Sequence, residues 1–338
     1  MTGYIIKRLG LALLTLFIIL FTSYALLRLA PGDPSRSDMM GAGDGAGMMD
    51  SRNSELNSNL SMREQLDLDK PIHIGFFRWF KKIVRHGDFG TSVTVDPGKP
   101  VTSLICERLG ITVSLNFWAI IITYLLAIPA GVFTAGKEGS FFDRSMEIFL
   151  FILYSLPVMW AGLLLQSFLC EGGRFPIFPL KGIEPENPET LSIWQLQLET
   201  LRCYFLPVLC LAYGGFAGLS RYTRSSMLEI LRSDFIRTAR AKGVPEVSVL
   251  WGHAFRNALV TMITLFGGIL PSLVAGSVLV EHIFNIPGMG SLSLLSLSSR
   301  AYPLQMALFA FSGALTLAGL LISDLLYMIA DPRIRLNK

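Results

Sequence analysis

The sequence predicts an all-α protein that crosses a membrane six times. Hydrophobic residues make up 51% of the 338 residues and charged residues only 16%, whereas a soluble domain carries about 25% charged residues. Six apolar runs are each long enough to cross a bilayer, which takes a helix of about 20 residues. A basic loop separates the fourth run from the fifth. Together these observations predict a polytopic helical membrane protein.

The apolar runs divide the chain into two predicted parts. Residues 1–108 hold the first span and a long extracytoplasmic segment, and residues 109–338 hold a core of five spans. The first run has no small-residue cleavage site, because Pro31 directly follows Ala30, so we expect an uncleaved span rather than a signal peptide. The predicted spans are 9–30, 111–135, 145–169, 204–220, 260–283 and 304–328.

Proline and glycine residues within these runs predict bends and close helix contacts. Pro129, Pro157 and Pro271 lie inside apolar runs, and we expect a kink at each because proline lacks the N–H that a helix uses. The glycines of 214–218 and 267–268 have no side chain, which permits a neighbouring helix to approach closely.

Lysine and arginine are distributed unequally between the predicted loops, which indicates how the chain lies in the membrane. Lys and Arg accumulate in short cytoplasmic loops. Fourteen of them fall on the side of the N-terminus, and four fall in the short loops 170–203 and 284–302 on the other side. We therefore expect both termini to be cytoplasmic.

The segment 31–108 lies outside in this arrangement and contains one patterned stretch. Residues 38–50 are rich in Gly, Met and Asp and have little to bury. Aromatic and cationic residues are interleaved over 76–85, which predicts a short amphipathic helix. It would lie along the membrane surface or, as we favour, against the protein's own outer face. Residues 87–92 then predict a turn.

Two cysteines bracket the predicted outer loop 171–200. Cys170 and Cys203 lie near the ends of the neighbouring spans, and an oxidising compartment would permit a disulfide between them. A disulfide requires Cα atoms within about 7 Å of each other. The alternative is two free thiols at helix ends, and the sequence leaves both interpretations open.

The basic loop 221–258 is the least apolar stretch between two spans, and it predicts a short helix over 234–242. Ser233 or Asp234 is suited to cap its start, and Gly243 can adopt the left-handed conformation after its last turn. A proline two residues later blocks continuation. Charge alone leaves two interpretations for this loop, a topological anchor or a surface for a partner protein.

This loop and four further stretches resemble one family of transport proteins. Residues 237–243 read RTARAKG and residues 253–259 read HAFRNAL, which resembles the EAA loop of ABC importer permeases. The sequence looks most like the membrane subunits of the dipeptide and oligopeptide uptake branch. The further stretches occur in family order and are LAPGDP at 29–34, GDFGTS at 87–92, EHIFNIPGMG at 281–290 and DPRIR at 331–335.

The resemblance implies that this chain works as one of several subunits in the cell inner (plasma) membrane. In that family the loop forms a coupling helix that sits in a groove on a separate ATPase subunit. The implied partners are two ATP-binding subunits, a second and related permease subunit, an extracytoplasmic solute-binding protein and membrane lipid. Peptides are the implied substrate, with nickel complexes or sugars as alternatives within the family.

The same resemblance implies which residues contact the ATPase subunit. Ala239 and Ala241 are small enough for close approach to a groove, and Arg237 and Arg240 can pair with carboxylates of a partner. Two positions depart from the general pattern, since Arg237 stands in place of Glu and Thr261 in place of Pro. The residues expected to make the contact are Asp234, Phe235, Arg237, Thr238, Ala239, Arg240, Ala241, Lys242 and Gly243.

The sequence offers no chemistry of its own for ATP hydrolysis. It has no Gly-x4-Gly-Lys-[Ser/Thr] phosphate loop, so we expect a non-catalytic chain without a cofactor whose partners hydrolyse ATP. Its four His do not have the spacing of metal ligands. The net charge is +4 and the Lys and Arg residues cluster in loops beside the apolar runs, so we expect no nucleic-acid-binding surface. A secondary carrier or channel is the first alternative, although a proton-coupled carrier would hold charges nearer the middle of the bilayer. An intramembrane protease using Ser277 is a distant third, because no His lies in another span.

Overall fold

A computed structural model of the chain is built from helices. It describes residues 2–29, 70–92, 95–180, 182–183, 185, 188–259, 272–273, 276–299 and 301–330. The α-helices are α1 (Thr2–Leu29), α2 (Ile72–His86), α3 (Val101–Gly136), α4 (Phe141–Ser155), α5 (Val158–Leu169), α6 (Ile193–Leu231), α7 (Asp234–Ala241), α8 (Glu246–Ser248), α9 (Val278–Ile283), α10 (Met289–Ser298) and α11 (Tyr302–Ala330). Extended pairing within these residues is limited to two isolated bridges. The all-α fold class is therefore confirmed.

Four of the described helices are long and apolar enough to cross a membrane. α4 and α5 pass the same test as a pair that is bent by 92°, which gives a fifth candidate span. The predicted span 260–283 falls mostly outside the described residues, as does the segment 38–50. The count of six spans therefore stays a prediction. The four unbroken candidates are Ile6–Leu29, Val101–Gly136, Ile193–Leu231 and Tyr302–Ile322.

The bend between α4 and α5 lies at Pro157, as the sequence predicts. Leu156 has left the helical conformation, with φ −79° and ψ 118°, because a proline ring disfavours α-helical backbone at the residue before it. α5 begins directly after Pro157. α3, by contrast, continues through Pro129. Pro271 and the glycines 267–268 lie outside the described residues.

The chain divides into two compact units. The first consists of Met1–Ile111 and Gly288–Ala318, and the second of Thr112–Pro287 and Gly319–Lys338. The first unit contains α1, α2 and α10. The second contains α4 to α9, including the basic loop. Each unit has its own buried apolar cluster.

In the first unit, α2 packs against α1 and α11 through aromatic side chains. Phe76 is fully buried and Trp79 is 5% exposed. The ring of Phe76 lies 5.4 Å from Phe17, 5.2 Å from Phe21 and 5.7 Å from Tyr24, measured between ring centroids. The favoured interpretation of this stretch, an amphipathic helix packed on the protein itself, is confirmed.

In the second unit, α3 and α6 cross closely at a glycine. A Cβ added to Gly131 would lie 2.5 Å from the Cβ of Thr223, so no larger residue fits without a shift of the helices. Gly215 faces Thr123, whose methyl carbon would be 3.1 Å from an added Cβ. The other two glycines of 214–218 have open space around them, so Gly215 alone of that group serves the close contact.

α6 begins earlier than the sequence analysis expected. The predicted loop 171–200 is already helical from Ile193, where Ser192 and the side chain of Gln195 form a capping box. With 39 residues and a rise of 1.5 Å per residue, α6 is about 58 Å long. The hydrocarbon core of a bilayer is about 30 Å thick, so α6 extends beyond a single membrane crossing.

Backbone and side-chain hydrogen bonds hold the segment before α6. Cys170 and Cys203 are both buried with free thiols, so the interpretation without a disulfide is the one observed. Cys170 forms a backbone bridge with Phe178. Arg202 of α6 donates a hydrogen bond to the carbonyl of Ile177 at 2.9 Å. These contacts connect the segment to α6 without a covalent link.

Candidate coupling site

The basic loop folds as the short helix α7, which is one residue shorter than predicted. At its start Ser233 is extended, with φ −75° and ψ 154°. The Ser233 hydroxyl donates to the carbonyl of Ile230 at 2.6 Å instead of capping α7. At its end Lys242 is the C-cap residue, and Gly243 is left-handed with φ 76°. The predicted role of Gly243 in ending the helix is confirmed.

Ile236 anchors α7 to the membrane-spanning helices. Its side chain is fully buried, and it is the buried residue of this helix. Full burial of such a side chain contributes about 1.5–3 kcal/mol. Ile236 is not among the site residues predicted from the sequence, although it is the one branched aliphatic side chain in α7. The cluster around it comprises Val132, Ala135, Met227, Leu231, Val249, Ala254 and Ala258.

The side of α7 opposite Ile236 is exposed. Successive helix residues are separated by about 100°, so Thr238 and Ala241 lie on the far side from Ile236. Ala239 is half-buried on the flank nearest the cluster. The exposed residues among those predicted to contact a partner are Asp234, Phe235, Arg237, Thr238, Arg240, Ala241, Lys242 and Gly243.

The two arginines of α7 form ion pairs within the chain. Arg240 donates to both carboxylate oxygens of Glu246, at 3.2 Å and 2.6 Å. This hydrogen bonding raises the pKa of the Arg240 guanidinium above its usual value. Arg237 approaches Asp234 at 3.5 Å, and both side chains are highly exposed. Arg240 thus closes the turn after α7, whereas Arg237 points away from the buried cluster.

The chain after α8 forms a π-helix, Val249–Phe255, a rare geometry that is frequent at functional sites. Within it the Trp251 ring packs edge-on against Phe133, with ring centroids 6.0 Å apart. A Cβ added to Gly136 would lie 2.8 Å from a methyl carbon of Leu250. The wide helical turn therefore lies directly against the end of α3.

A partly buried ion pair connects the start of α4 to α6. Arg224 donates to the two carboxylate oxygens of Asp143, at 2.7 Å and 2.8 Å. Asp143 also accepts the N–H of Gly139 at 3.0 Å and is 2% exposed. On the surface Arg232 donates to Glu138 at 2.7 Å. Local sequence patterns predict neither pair, because 81 and 94 residues separate the partners.

A cavity of about 590 Å³ lies between α3 and α6 in the second unit. Asn116 donates to the carbonyl of Leu273 at 3.0 Å, and Thr123 donates to the carbonyl of Ala212 at 3.2 Å. None of the described residues that line the cavity is Asp, Glu, Lys or Arg. Such a lining can hold a neutral polar group through hydrogen bonds. The polar lining residues are Asn116, Thr123, Tyr124, Tyr222 and Ser272.

Long apolar helices, a short helix anchored in a basic loop and a cavity with polar lining residues between two of the long helices define the class of protein. It is a polytopic membrane protein built to form part of a transport path. Within the described part of the chain, no group of three or more His, Cys, Asp and Glu is arranged to hold a metal ion.

The family follows from comparison with known proteins. The family described as binding-protein-dependent transport system inner membrane component matches residues 127–336. The chain belongs to this family, and the resemblance given by its sequence motifs is confirmed.

Three relatives are similar to the chain over nearly its whole length. It is 39% identical to an oligopeptide transport system permease protein, AppB of Bacillus subtilis (strain 168), over 99% of both chains. It is 36% identical to a putative peptide transport system permease protein of Brucella abortus (strain 2308), again over 99% of both. It is 34% identical to the inner membrane ABC transporter permease protein YejB of Escherichia coli O157:H7, over 99% of both.

Proposed function

We propose that this chain forms half of the translocation path of an ATP-driven importer of peptides. The names of its relatives, which include oligopeptide and peptide permeases, support the substrate class. The family description supports dependence on a binding protein. In the proposed assembly the chain pairs with a related permease, receives peptide from an extracytoplasmic solute-binding protein and contacts two ATP-binding subunits that hydrolyse ATP.

The observation that carries the proposal is the division of α7 into an anchored face and an exposed face. Ile236 lies in a close-packed cluster shared with α3 and α6, and such packing transmits displacement because interiors resist compression. Closure of the ATPase subunits would press on the exposed face at Thr238 and Ala241. The displacement would then tilt α3 and α6 between inward-open and outward-open arrangements.

The cavity between α3 and α6 is the part of the path that we assign to this chain. Peptides differ in the charge of their side chains but share a polar, uncharged backbone. Amide and hydroxyl groups such as those of Asn116 and Thr123, in a lining whose described residues carry no formal charge, can hydrogen-bond that backbone while tolerating side chains of either sign. A second permease chain would close the open side of the cavity.

The proposed orientation, with both termini in the cytoplasm, is tested by thiol labelling in intact cells. The chain has four Cys, all within the described residues, and only Cys106 is exposed. We expect a membrane-impermeant maleimide to label Cys106 in intact cells. Ser248, the exposed last residue of α8, provides the opposite reporter. In a Cys106→Ser background, Ser248→Cys should react only after permeabilisation, and labelling in intact cells would invert the topology.

The coupling role is tested by adding a charge to the exposed face of α7. Ala241→Glu leaves the Ile236 anchor intact, so we expect normal membrane insertion but loss of peptide uptake and weak retention of the ATPase subunits. Val247→Glu is the matched control, because Val247 is 71% exposed and lies outside α7. If Ala241→Glu retains the ATPases and transports at the rate of the control, the loop is only a topological anchor.

A further inference from the structure

The helix α2 presents three different sides along its length. The side containing Phe76 and Trp79 is buried against α1 and α11. The neighbouring flank is apolar but exposed, with Phe77 57% and Val84 70% accessible. The remaining flank is cationic, and its exposed residues are Arg78, Lys81, Lys82 and Arg85.

The contacts of Phe76 place α2 at the depth of the apolar part of α1. The Phe76 ring lies 5.2 Å from Phe21 of α1, and the apolar stretch of α1 continues to Leu29. Phe21 is therefore eight residues, or about 12 Å, from that end of the stretch. A helix that packs against the outer part of an apolar span, with its own exposed sides both apolar and cationic, is suited to the boundary between acyl chains and headgroups, where those sides would face lipid.

Among the described residues, the exposed cations Lys81 and Arg85 favour an anionic partner at that depth. Its fifteen residues include four Lys and Arg but no Asp or Glu. Asp88, just after the helix, lies 3.8 Å from Lys82, and even with this carboxylate the segment keeps a net positive charge. Cations near the hydrocarbon are costly unless their long side chains reach an anionic or aqueous layer.

We propose that α2 is a binding site for anionic phospholipids. Their phosphates would lie on the cationic flank, where Arg85 can donate two parallel hydrogen bonds. Their acyl chains would follow Phe77 and Val84. The occupied leaflet is the one at the C-terminal end of α1. In the orientation proposed above, this leaflet is the outer one. Only this assignment of the leaflet rests on the proposed function.

The test measures which lipids the full chain retains. The chain is reconstituted in nanodiscs that contain phosphatidylcholine and phosphatidylglycerol, and retained lipids are counted by native mass spectrometry. Lys81→Gln with Arg85→Gln should lower the preference for phosphatidylglycerol by about fivefold for each charge removed. The matched control exchanges the two cations, Lys81→Arg with Arg85→Lys, and should keep the preference.

Three outcomes would overturn the proposal. The first is an unchanged preference for phosphatidylglycerol in the neutralised variant. The second is displacement of the lipid by inorganic phosphate, which would assign the site to a free anion. The third is weaker docking of the solute-binding protein to the neutralised variant in discs of phosphatidylcholine alone. Because the lipid test does not measure uptake, a negative result does not contradict the coupling role of α7. A negative result for the coupling role likewise does not contradict lipid binding by α2.

Discussion

α2 and α7 are both short helices attached to longer apolar ones, but they are attached differently. α2 has fifteen residues and buries Phe76 and Trp79 among the aromatic rings of α1. α7 has eight residues and buries Ile236. Its remaining attachments are an ion pair between Arg240 and Glu246 and the chain that links it to α6. The buried surface of aromatic side chains thus holds α2 in place, whereas the fully buried side chain of α7 is a single aliphatic one.

This difference suggests two kinds of task. A helix that must keep its place against lipid gains from a large buried surface, because the hydrophobic effect grows with the area removed from water. A helix that must fit a groove on another subunit has to keep most of its surface available, as α7 does. The contrast predicts that substitutions in α2 act mainly on local stability, whereas exposed substitutions in α7 act on coupling.

The largest effect should come from removing the aromatic anchor of α2. Phe76→Ala leaves a cavity among Phe17, Phe21 and Tyr24, and such substitutions cost about 3–5 kcal/mol. We expect the amides of 72–86 to exchange hydrogen much faster, as measured by mass spectrometry in nanodiscs. Phe77→Ala removes the exposed neighbour and should leave exchange nearly unchanged. Equal protection in the two variants would show that Phe76 is not the anchor.

Removing the buried anchor of α7 should have the second largest effect. Ile236→Ala costs about 2–5 kcal/mol for a buried aliphatic residue, and we expect faster amide exchange over 234–241 together with loss of uptake. Val247→Ala, at a residue 71% exposed, is the control and should change neither. If uptake survives in Ile236→Ala despite rapid exchange, α7 does not transmit displacement through the cluster.

The partly buried ion pair between α4 and α6, compared with an exposed one, tests whether a connection between these helices or surface charge matters for transport. Asp143→Asn removes the negative charge opposite Arg224 and one of the two oxygens that accept from it, and loss of a hydrogen bond to a charged group costs about 1.5–3 kcal/mol. We expect uptake to fall relative to the ATPase activity of the assembled complex. Glu138→Gln breaks an exposed pair with Arg232 and should cost only about 0–1 kcal/mol. Identical coupling ratios in the two variants would contradict a mechanical role for Asp143.

Local features of the sequence predicted α7 well, because a helix end depends on neighbouring residues. Gly243 has the left-handed backbone that the sequence required, and α4 ends before Pro157 as expected. The early start of α6 was also visible locally, since Ser192 and Gln195 have the spacing of a capping box. A search for apolar runs overlooks such a start, because capping residues are polar.

The contacts that connect the elements were not predictable from local pattern. Ile236 is buried because α3 and α6 converge beside α7, and the sequence of α7 offers two large apolar side chains, Phe235 and Ile236, without deciding which of them faces that convergence. Arg224 and Asp143 lie in separate helices 81 residues apart, and neither belongs to a recognisable motif. The sequence therefore predicted which segment forms the candidate site but not which residue anchors it.

A smaller effect is expected at the end of α7. Gly243 has φ 76° with open space around its Cα, so a larger residue meets backbone strain rather than a clash. Gly243→Val should cost about 1–2 kcal/mol and reduce uptake sharply while the chain stays in the membrane. Gly243→Asn is the matched control, because asparagine tolerates this conformation. Equal uptake by the two variants would show that the left-handed backbone at Gly243 does not matter for uptake.

The smallest effect should come from Arg237. Its ion pair with Asp234 is long, at 3.5 Å, and both side chains are exposed, so the pair contributes about 0–1 kcal/mol to stability. If α7 fits its groove by shape, Arg237→Ala should retain the ATPase subunits and lower uptake only slightly. Arg237→Lys keeps the charge but loses the planar fork of donors. Loss of ATPase retention in Arg237→Ala but not in Arg237→Lys would mean that charge at this position, rather than the fit of Thr238 and Ala241, holds the partner.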